Sequence, residues 1–350
     1  MVLYRKYRPQ QLADLDCESL RIRLDTILSS SYSPHAFLFS GPKGTGKTSA
    51  ARIVAKILNC TGRKIGEKTV EPCNLCESCQ SITQGRHLDI IEIDAASNRG
   101  IDEIRDLREK IKLAPINAKF KVYIIDEVHM LTTEAFNALL KTLEEPPNHA
   151  VFILATTEPD KLLPTIISRC IKINFQKATN EEVKHSLRRV LKGEKLEVSE
   201  DVLSVIVQSS DGSFRDGTKL LEQAIAEGNL TLEGITKFIG RDFSQVISFM
   251  KLLSANETRT ILNDIESYTQ KGVNLRFFVE DILRILHDML LASYKINVEK
   301  VPKELEGAFK INELTALIKL FSRVYTELRN ASSPHIPIVL AVVEWCERGK

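Results

Sequence analysis

Gly41-Pro42-Lys43-Gly44-Thr45-Gly46-Lys47-Thr48 fits the pattern G-x-x-x-x-G-K-[ST] at every fixed position. Glycines at these positions let a backbone wrap closely, so that its N–H groups point at phosphate oxygens. The pattern makes Lys47 a cation for β- and γ-phosphates and Thr48 a magnesium ligand. The flanks decide between this reading and a glycine-rich turn with an incidental lysine. Ala36-Phe37-Leu38-Phe39 before the loop reads as a buried strand. Ser49 to Leu58 repeats apolar residues at Ala50, Ile53, Val54, Ile57 and Leu58, which is helical spacing. Strand, glycine loop and helix in that order are the context a phosphate loop requires.

Three further apolar runs read as strands: Ile90-Ile91-Glu92-Ile93, Lys121-Val122-Tyr123-Ile124-Ile125 and Val151-Phe152-Ile153-Leu154. Continuous apolar strands separated by helices predict a parallel sheet covered on both faces. From about residue 178 the β-rich runs cease. Residues 178–240 read as short helices broken at Gly193, Asp211-Gly212 and Gly228-Asn229, and residues 243–346 as further helices.

A phosphate loop needs an acid at the end of a neighbouring strand. Asp126 and Glu127 supply it, Asp126 for the metal and Glu127 to activate an attacking water. His129, two residues on, reads as structural. The run at Leu154 ends in Ala155-Thr156-Thr157-Glu158-Pro159, where a hydroxyl would lie beside the loop. Arg169, in Ser168-Arg169-Cys170, and Arg215, in Ser213-Phe214-Arg215-Asp216, read singly as surface charges.

Cys60, Cys73, Cys76 and Cys79 form C-x12-C-x2-C-x2-C, which suits structural zinc with four thiolates and no open position. An iron–sulfur site would want a fourth cysteine at Thr83 followed by proline, and neither is present. Cys17, Cys170 and Cys346 read as small buried hydrophobes.

Among 350 residues, 43% are hydrophobic and 27% charged, as in an ordinary globular protein. A net charge of +2 excludes a chain that coats nucleic acid by overall charge. No apolar run approaches the ~18 residues of a membrane span. Residues 1–9 hold no apolar core of signal-peptide length, so the expected compartment is the cytoplasm. Residues 99–121 carry seven basic and four acidic side chains, a local excess compatible with a solvated helix or a phosphate-contacting face.

Together these stretches resemble the gamma/tau ATPase subunits of the bacterial DNA polymerase III clamp loader, in the AAA+ class. The likeness is carried by Tyr4–Pro9, His35–Gly41, Glu92–Gly100, Lys121–Leu131, Phe136–Pro147, Leu154–Pro159, Ser168–Cys170 and Gly212–Asp216. It is dense over residues 4–225 and thinner beyond.

The resemblance implies an α/β AAA+ P-loop domain over residues 1–177, with a zinc module at about 60–80. A helical lid at 178–240 and an all-α collar at 241–350 follow. It implies ATP and Mg2+, bound by residues 41–49 with Arg8, Pro9 and Arg215, and zinc at the four cysteines. Thr157 takes the place of the first sensor and Arg215 of the second. Arg169 becomes an arginine finger acting on a neighbour's ATP, a task suited to a planar, always-charged fork.

Asn98 and Arg99 would face DNA, through backbone phosphates only. Expected partners are other loader subunits in a ring-like hetero-oligomer, a sliding clamp and primer–template DNA. Polymerase and helicase contacts are not assumed for a chain that stops at Lys350. Asp16-Cys17 stands where relatives usually carry Gly-Gln, in the segment that packs by the adenine. A catalytically silent loader subunit would show a degraded P-loop or a changed Glu127. A DExH helicase would need a second motor domain. The sequence shows neither feature.

Overall fold

A computed structural model describes residues 2–30, 34–62, 70–97, 109–239, 243–296, 301–328, 331 and 333–348. Asn98 and Arg99 lie outside the described residues. The chain forms two compact units, Met1–Gly228 and Asn229–Lys350.

The first unit is built on a five-stranded parallel sheet of β1 (Ala36–Ser40), β2 (Ile90–Asp94), β3 (Lys121–Asp126), β4 (Ala150–Thr156) and β5 (Ile171–Asn174), ordered β2-β3-β4-β1-β5. Alternate side chains serve opposite faces. Phe37, Phe39, Val122, Ile124, Val151 and Ile153 share one core with Ala50, Ile53, Val54 and Ile57 of helix α3 (Lys47–Asn59). Leu38, Tyr123, Ile125, Phe152 and Leu154 pack with Phe136, Leu139 and Leu143 of helix α5 (Thr133–Glu144) on the other. Each Val, Leu, Ile or Phe side chain among these contributes about 1.5–3 kcal/mol by leaving water. Both faces are therefore covered, as continuous apolar strands require.

The register sets the site. Ser40 pairs with Thr156 on one side and Asn174 on the other, while Asp94 pairs with Asp126. The carboxyl ends of β1, β3 and β4 thus open into one crevice, where ligands bind in sheets of this kind. Strand β5 was not apparent from the sequence, because Ile171-Lys172-Ile173-Asn174 has only two apolar residues and one of them is buried.

Helices α2 (Glu18–Ser29), α3, α5 and α6 (Pro164–Ile167) flank the sheet, while α1 (Leu3–Lys6) packs on the Phe214–Ala226 helix and α4 (Glu77–Thr83) on α3. Helices α7 (Asn180–Glu194), α8 (Glu200–Ser209) and α9 (Phe214–Ala226) follow the sheet in the chain. Thr179, Ser199 and Ser213 cap their N-termini by accepting from amides one turn on. Helix α7 runs through Gly193 and ends at left-handed Lys195, so the expected break at Gly193 falls two residues late. That glycine serves close approach instead. A Cβ there would meet the Tyr7 ring at 2.3 Å.

The second unit contains helices α10 (Leu232–Ile239), α11 (Phe243–Ser254), α12 (Thr258–Gln270), α13 (Leu275–Ser293), α14 (Ile311–Glu327) and α15 (His335–Cys346). Its core centres on Phe249, whose ring lies 5.1 Å from Phe278 and 6.1 Å from Phe321 in edge-on packing. The division after Gly228 assigns α10 to this unit, whereas the sequence reading drew the boundary at 240.

Candidate nucleotide-binding cleft and cysteine cluster

Loop 41–46 turns from β1 into α3 through three glycines with positive φ. Gly41 is at 147°, Gly44 at 80° and Gly46 at 99°. Two of them also need the missing side chain. A Cβ would lie 2.0 Å from the Phe175 carbonyl oxygen at Gly41 and 2.0 Å from Ser213 Oγ at Gly44. The buried Lys47 ammonium donates to the Gly41 and Pro42 carbonyls at 2.7 and 2.8 Å. Burial lowers its pKa, with Glu127 and Asp126 opposing. Lys43 to Ser49 line the cleft, whereas Gly41 and Pro42 hold the lysine from outside it.

Thr48 Oγ1 donates to Asp126 Oδ2 at 2.8 Å, which puts the two expected magnesium ligands side by side. Glu127 follows in the left-handed region at φ 48°, a strained setting for a non-glycine residue. Its Oε2 accepts from both the hydroxyl and the amide of Thr157, at 2.9 and 3.2 Å. His129, 5% exposed in its side chain, contacts Thr156 Oγ1 at 2.9 Å and Glu158 Oε1 at 3.2 Å. It also stands 3.5 Å from Glu127 Oε2. It braces the acidic turn, in line with a structural reading.

The far wall of the cleft comes from residues 4–20 and from α7 and α9. Arg8, Pro9, Asp16, Cys17 and Arg215 all line it. The Arg215 guanidinium lies 5.7 Å from the Tyr4 ring centroid. Burial lowers the Arg8 pKa, the like charges of Arg52 and Arg215 lower it further, and Glu92 opposes them. Asp16, its side chain only 4% exposed, accepts from Arg189 at 2.7 and 3.2 Å and faces His185 Nδ1 at 2.6 Å. The departure from Gly-Gln thus ties the N-terminal segment to α7. Sequence reading missed this because Arg189 lies far along the chain.

Arg169 is not among the residues lining this cleft. Its guanidinium pairs with Glu144 Oε1 at 2.8 Å and donates to the Thr165 carbonyl at 2.7 Å.

The Sγ atoms of Cys60, Cys73, Cys76 and Cys79 all lie within 4.8 Å of one another. Tetrahedral zinc, with bonds of about 2.3 Å, needs sulfurs about 3.8 Å apart, so the donor set fits that ion. The Cys73, Cys76 and Cys79 amides donate to the sulfurs of Cys60, Cys73 and Cys76 at 3.2, 3.3 and 3.4 Å. Burial pushes the Cys76 thiol up, but the Cys79 amide and Thr61 outweigh it and bring the pKa to about 5. Cys17, Cys170 and Cys346 are half-buried, not buried as expected.

The sheet, glycine loop, paired acids and helical lid define an AAA+ P-loop ATPase fold. RuvB of Thermotoga maritima has the same fold, with a TM-score of 0.51 at 16% identity over 94% of this chain and 100% of that one. Residues 18–179 match the family model for DNA polymerase III, delta subunit, and residues 182–230 that for the DNA polymerase III clamp loader subunit, ATPase lid domain. The chain belongs to the DNA polymerase III gamma/tau subunit family. It is 34% identical to the gamma subunit of Buchnera aphidicola over 96% of this chain and 92% of that protein. It is 40% identical to the tau subunits of Bacillus subtilis and Escherichia coli, over 99% and 82% of this chain. The chain spans 63% and 44% of the length of those two proteins.

Proposed function

We propose that the chain is an ATP-hydrolysing motor subunit of a sliding-clamp loader for the replicative polymerase, acting in the cytoplasm. No helix among the described residues is long and apolar enough to cross a membrane. The carrying observation is the intact pair of contacts at the strand ends, Thr48 to Asp126 and Thr157 to Glu127, beside a glycine loop whose carbonyls hold Lys47.

In this reading Lys47 and residues 41–49 hold the ATP phosphates, and Thr48 and Asp126 hold magnesium. When bound, that ion would neutralise charge on the phosphate oxygens. Glu127 accepts a proton from the attacking water while Thr157 holds it in place. Arg215 reaches the phosphates from the lid, and Arg8 and Pro9 border the nucleotide. Arg169 stabilises transition-state charge at a neighbouring subunit's site. The chemistry is γ-phosphate hydrolysis.

The four cysteines hold zinc as a structural ion that organises residues 60–80. The three-part division into AAA+ domain, lid and collar belongs to the same proposal. So do the partners: other loader subunits, the clamp, and primer–template DNA gripped through its backbone, with Asn98 and Arg99 facing it. Family membership supports this reading, as does the helical second unit.

An ATPase assay with and without clamp and primer–template DNA tests it. Turnover stimulated by both is the expected result. Nucleotide binding with no turnover in the assembled loader would instead make the chain a silent structural subunit.

A further inference from the structure

Lys56 lies in the last turn of α3 and is 1% exposed. Its ammonium donates to Gln10 Oε1, to Asn74 Oδ1 at 3.0 Å and to the Gln10 carbonyl at 3.4 Å. These acceptors satisfy its N–H groups but are themselves neutral. A buried ammonium without a countercharge is strongly unfavourable. Among the described residues no carboxylate is ion-paired with it. Asp14 is within electrostatic reach but already accepts from the Gln10 and Gln11 amides at 2.9 and 3.3 Å. The other nearby anion source is Cys79. Four thiolates around a divalent ion carry a net charge of about −2, so a metal-loaded cluster supplies the missing countercharge.

The same cluster touches the nucleotide cleft at second hand. Asn74, in the left-handed region at φ 57°, sits in the turn between Cys73 and Cys76. Gln10 receives Lys56, and its own amide donates to the Arg8 carbonyl at 3.0 Å. Thr83, at the end of α4, donates to Gln10 Oε1 at 3.2 Å. Two residues before Cys73, Glu71 accepts from the Leu12 and Ala13 amides, both at 2.7 Å. Residues 10–13 are thus pinned from two sides. On either side of them lie Arg8, Pro9, Asp16 and Cys17 in the cleft wall.

We propose that the cysteine module braces this wall: metal at the four cysteines fixes Asn74 and, through the Lys56 ammonium that it neutralises, Gln10, while Glu71 pins Leu12 and Ala13, so that metal occupancy sets nucleotide affinity. The inference rests on the nucleotide reading of the cleft. It assigns Lys56 and Glu71 as positioning residues.

The test uses the full chain, loaded with zinc or stripped by chelator, with circular dichroism to follow the fold. Two probes are titrated: a fluorescent ADP analogue, and tripolyphosphate, which engages the phosphate loop alone. Stripping weakens the ADP analogue about fivefold or more, leaves tripolyphosphate unchanged, and zinc add-back reverses the loss. Glu71→Ala, with every cysteine intact, keeps zinc and reproduces the ADP loss. Lys56→Met loses zinc to chelator about tenfold faster than wild type or Lys56→Arg. Lys56→Met also costs more stability in the loaded form than in the stripped form, because the loaded cluster carries the larger countercharge to the ammonium.

If stripping unfolds the chain, the two zinc-loaded variants decide the matter. Unchanged ADP affinity in both, with zinc bound and fold intact, overturns the brace. Equal loss of both probes also overturns it, since that marks collapse of the whole cleft. Failure of loaded wild-type protein to bind either probe overturns the nucleotide reading instead.

Discussion

The Thr157 hydroxyl donates to Glu127 Oε2 at 2.9 Å, and the Thr157 amide reaches the same oxygen at 3.2 Å. The residue after β4 therefore aims the carboxylate that follows β3. Thr157→Val should leave ATP affinity within about twofold and lower turnover about 10- to 100-fold, part of what a positioned base supplies. Glu127→Gln should bind ATP and lose about 10²- to 10⁴-fold in hydrolysis. Equilibrium binding beside single-turnover hydrolysis separates the two effects. A matched loss of binding in Glu127→Gln would remove it from the role of base.

Lys47→Ala should abolish nucleotide binding while the chain stays folded. The ammonium is buried and, among the described residues, bonds to two loop carbonyls, so its removal relieves a desolvated charge. Calorimetric binding and a thermal melt check both halves. Intact turnover in purified Lys47→Ala would sink the phosphate-loop assignment.

Arg169 is held by Glu144 on its own chain and stands apart from its own cleft. Arg169→Ala should bind ATP normally in isolation. In the assembled loader it should cost about 10³-fold or more in hydrolysis at the neighbour's site. Mixing it with Glu127→Gln subunits shows which site has failed. A fall in the isolated subunit's affinity comparable to that of Lys47→Ala would mean that the arginine acts in cis.

Protein purified without chelator should contain about one zinc per chain, and Cys79→Ser should lose it. Elemental analysis reads both. Iron with visible absorbance, or no metal, would contradict the assignment.

Asp89 is fully buried and accepts from the Ile116, Asn117 and Ala118 amides, each at 2.9 Å. Burial alone would raise its pKa, but the three amides outweigh it and the value is lowered. A depressed carboxyl pKa contributes stability above the unfolded value, near 3.9, and loses it as pH falls through the folded value. Asp89→Asn should therefore cost about 2–3 kcal/mol at pH 7, and the gap to wild type should close in strong acid. Urea unfolding at both pH values measures it.

The sheet and the cleft floor were legible because local sequence carries them. Phe37–Phe39 is apolar throughout, and the loop, Asp126 and Thr157 each stand at the end of such a run. The cysteine spacing was equally local. What escaped was held by distant partners: Asp16 by Arg189, Glu71 by the Leu12 amide, and Lys56 by Gln10 and Asn74. A lone lysine between Ala55 and Ile57 on a helix otherwise apolar there was the one available hint. Strand β5 escaped because its pairing with β1, more than its composition, makes it a strand.

The cleft wall draws on residues 4–20, on the loop at 43–49, on the acids at 126–127 and on lid residues out to 218. These stretches are far apart in the chain, so a molecule that fills the cleft acts as a reversible cross-link. Mass action then makes the ligand a folding effector: at a hundred times its dissociation constant it adds about 2.7 kcal/mol to the folded state. Limited proteolysis of the filled chain should accordingly be slower than that of the empty one.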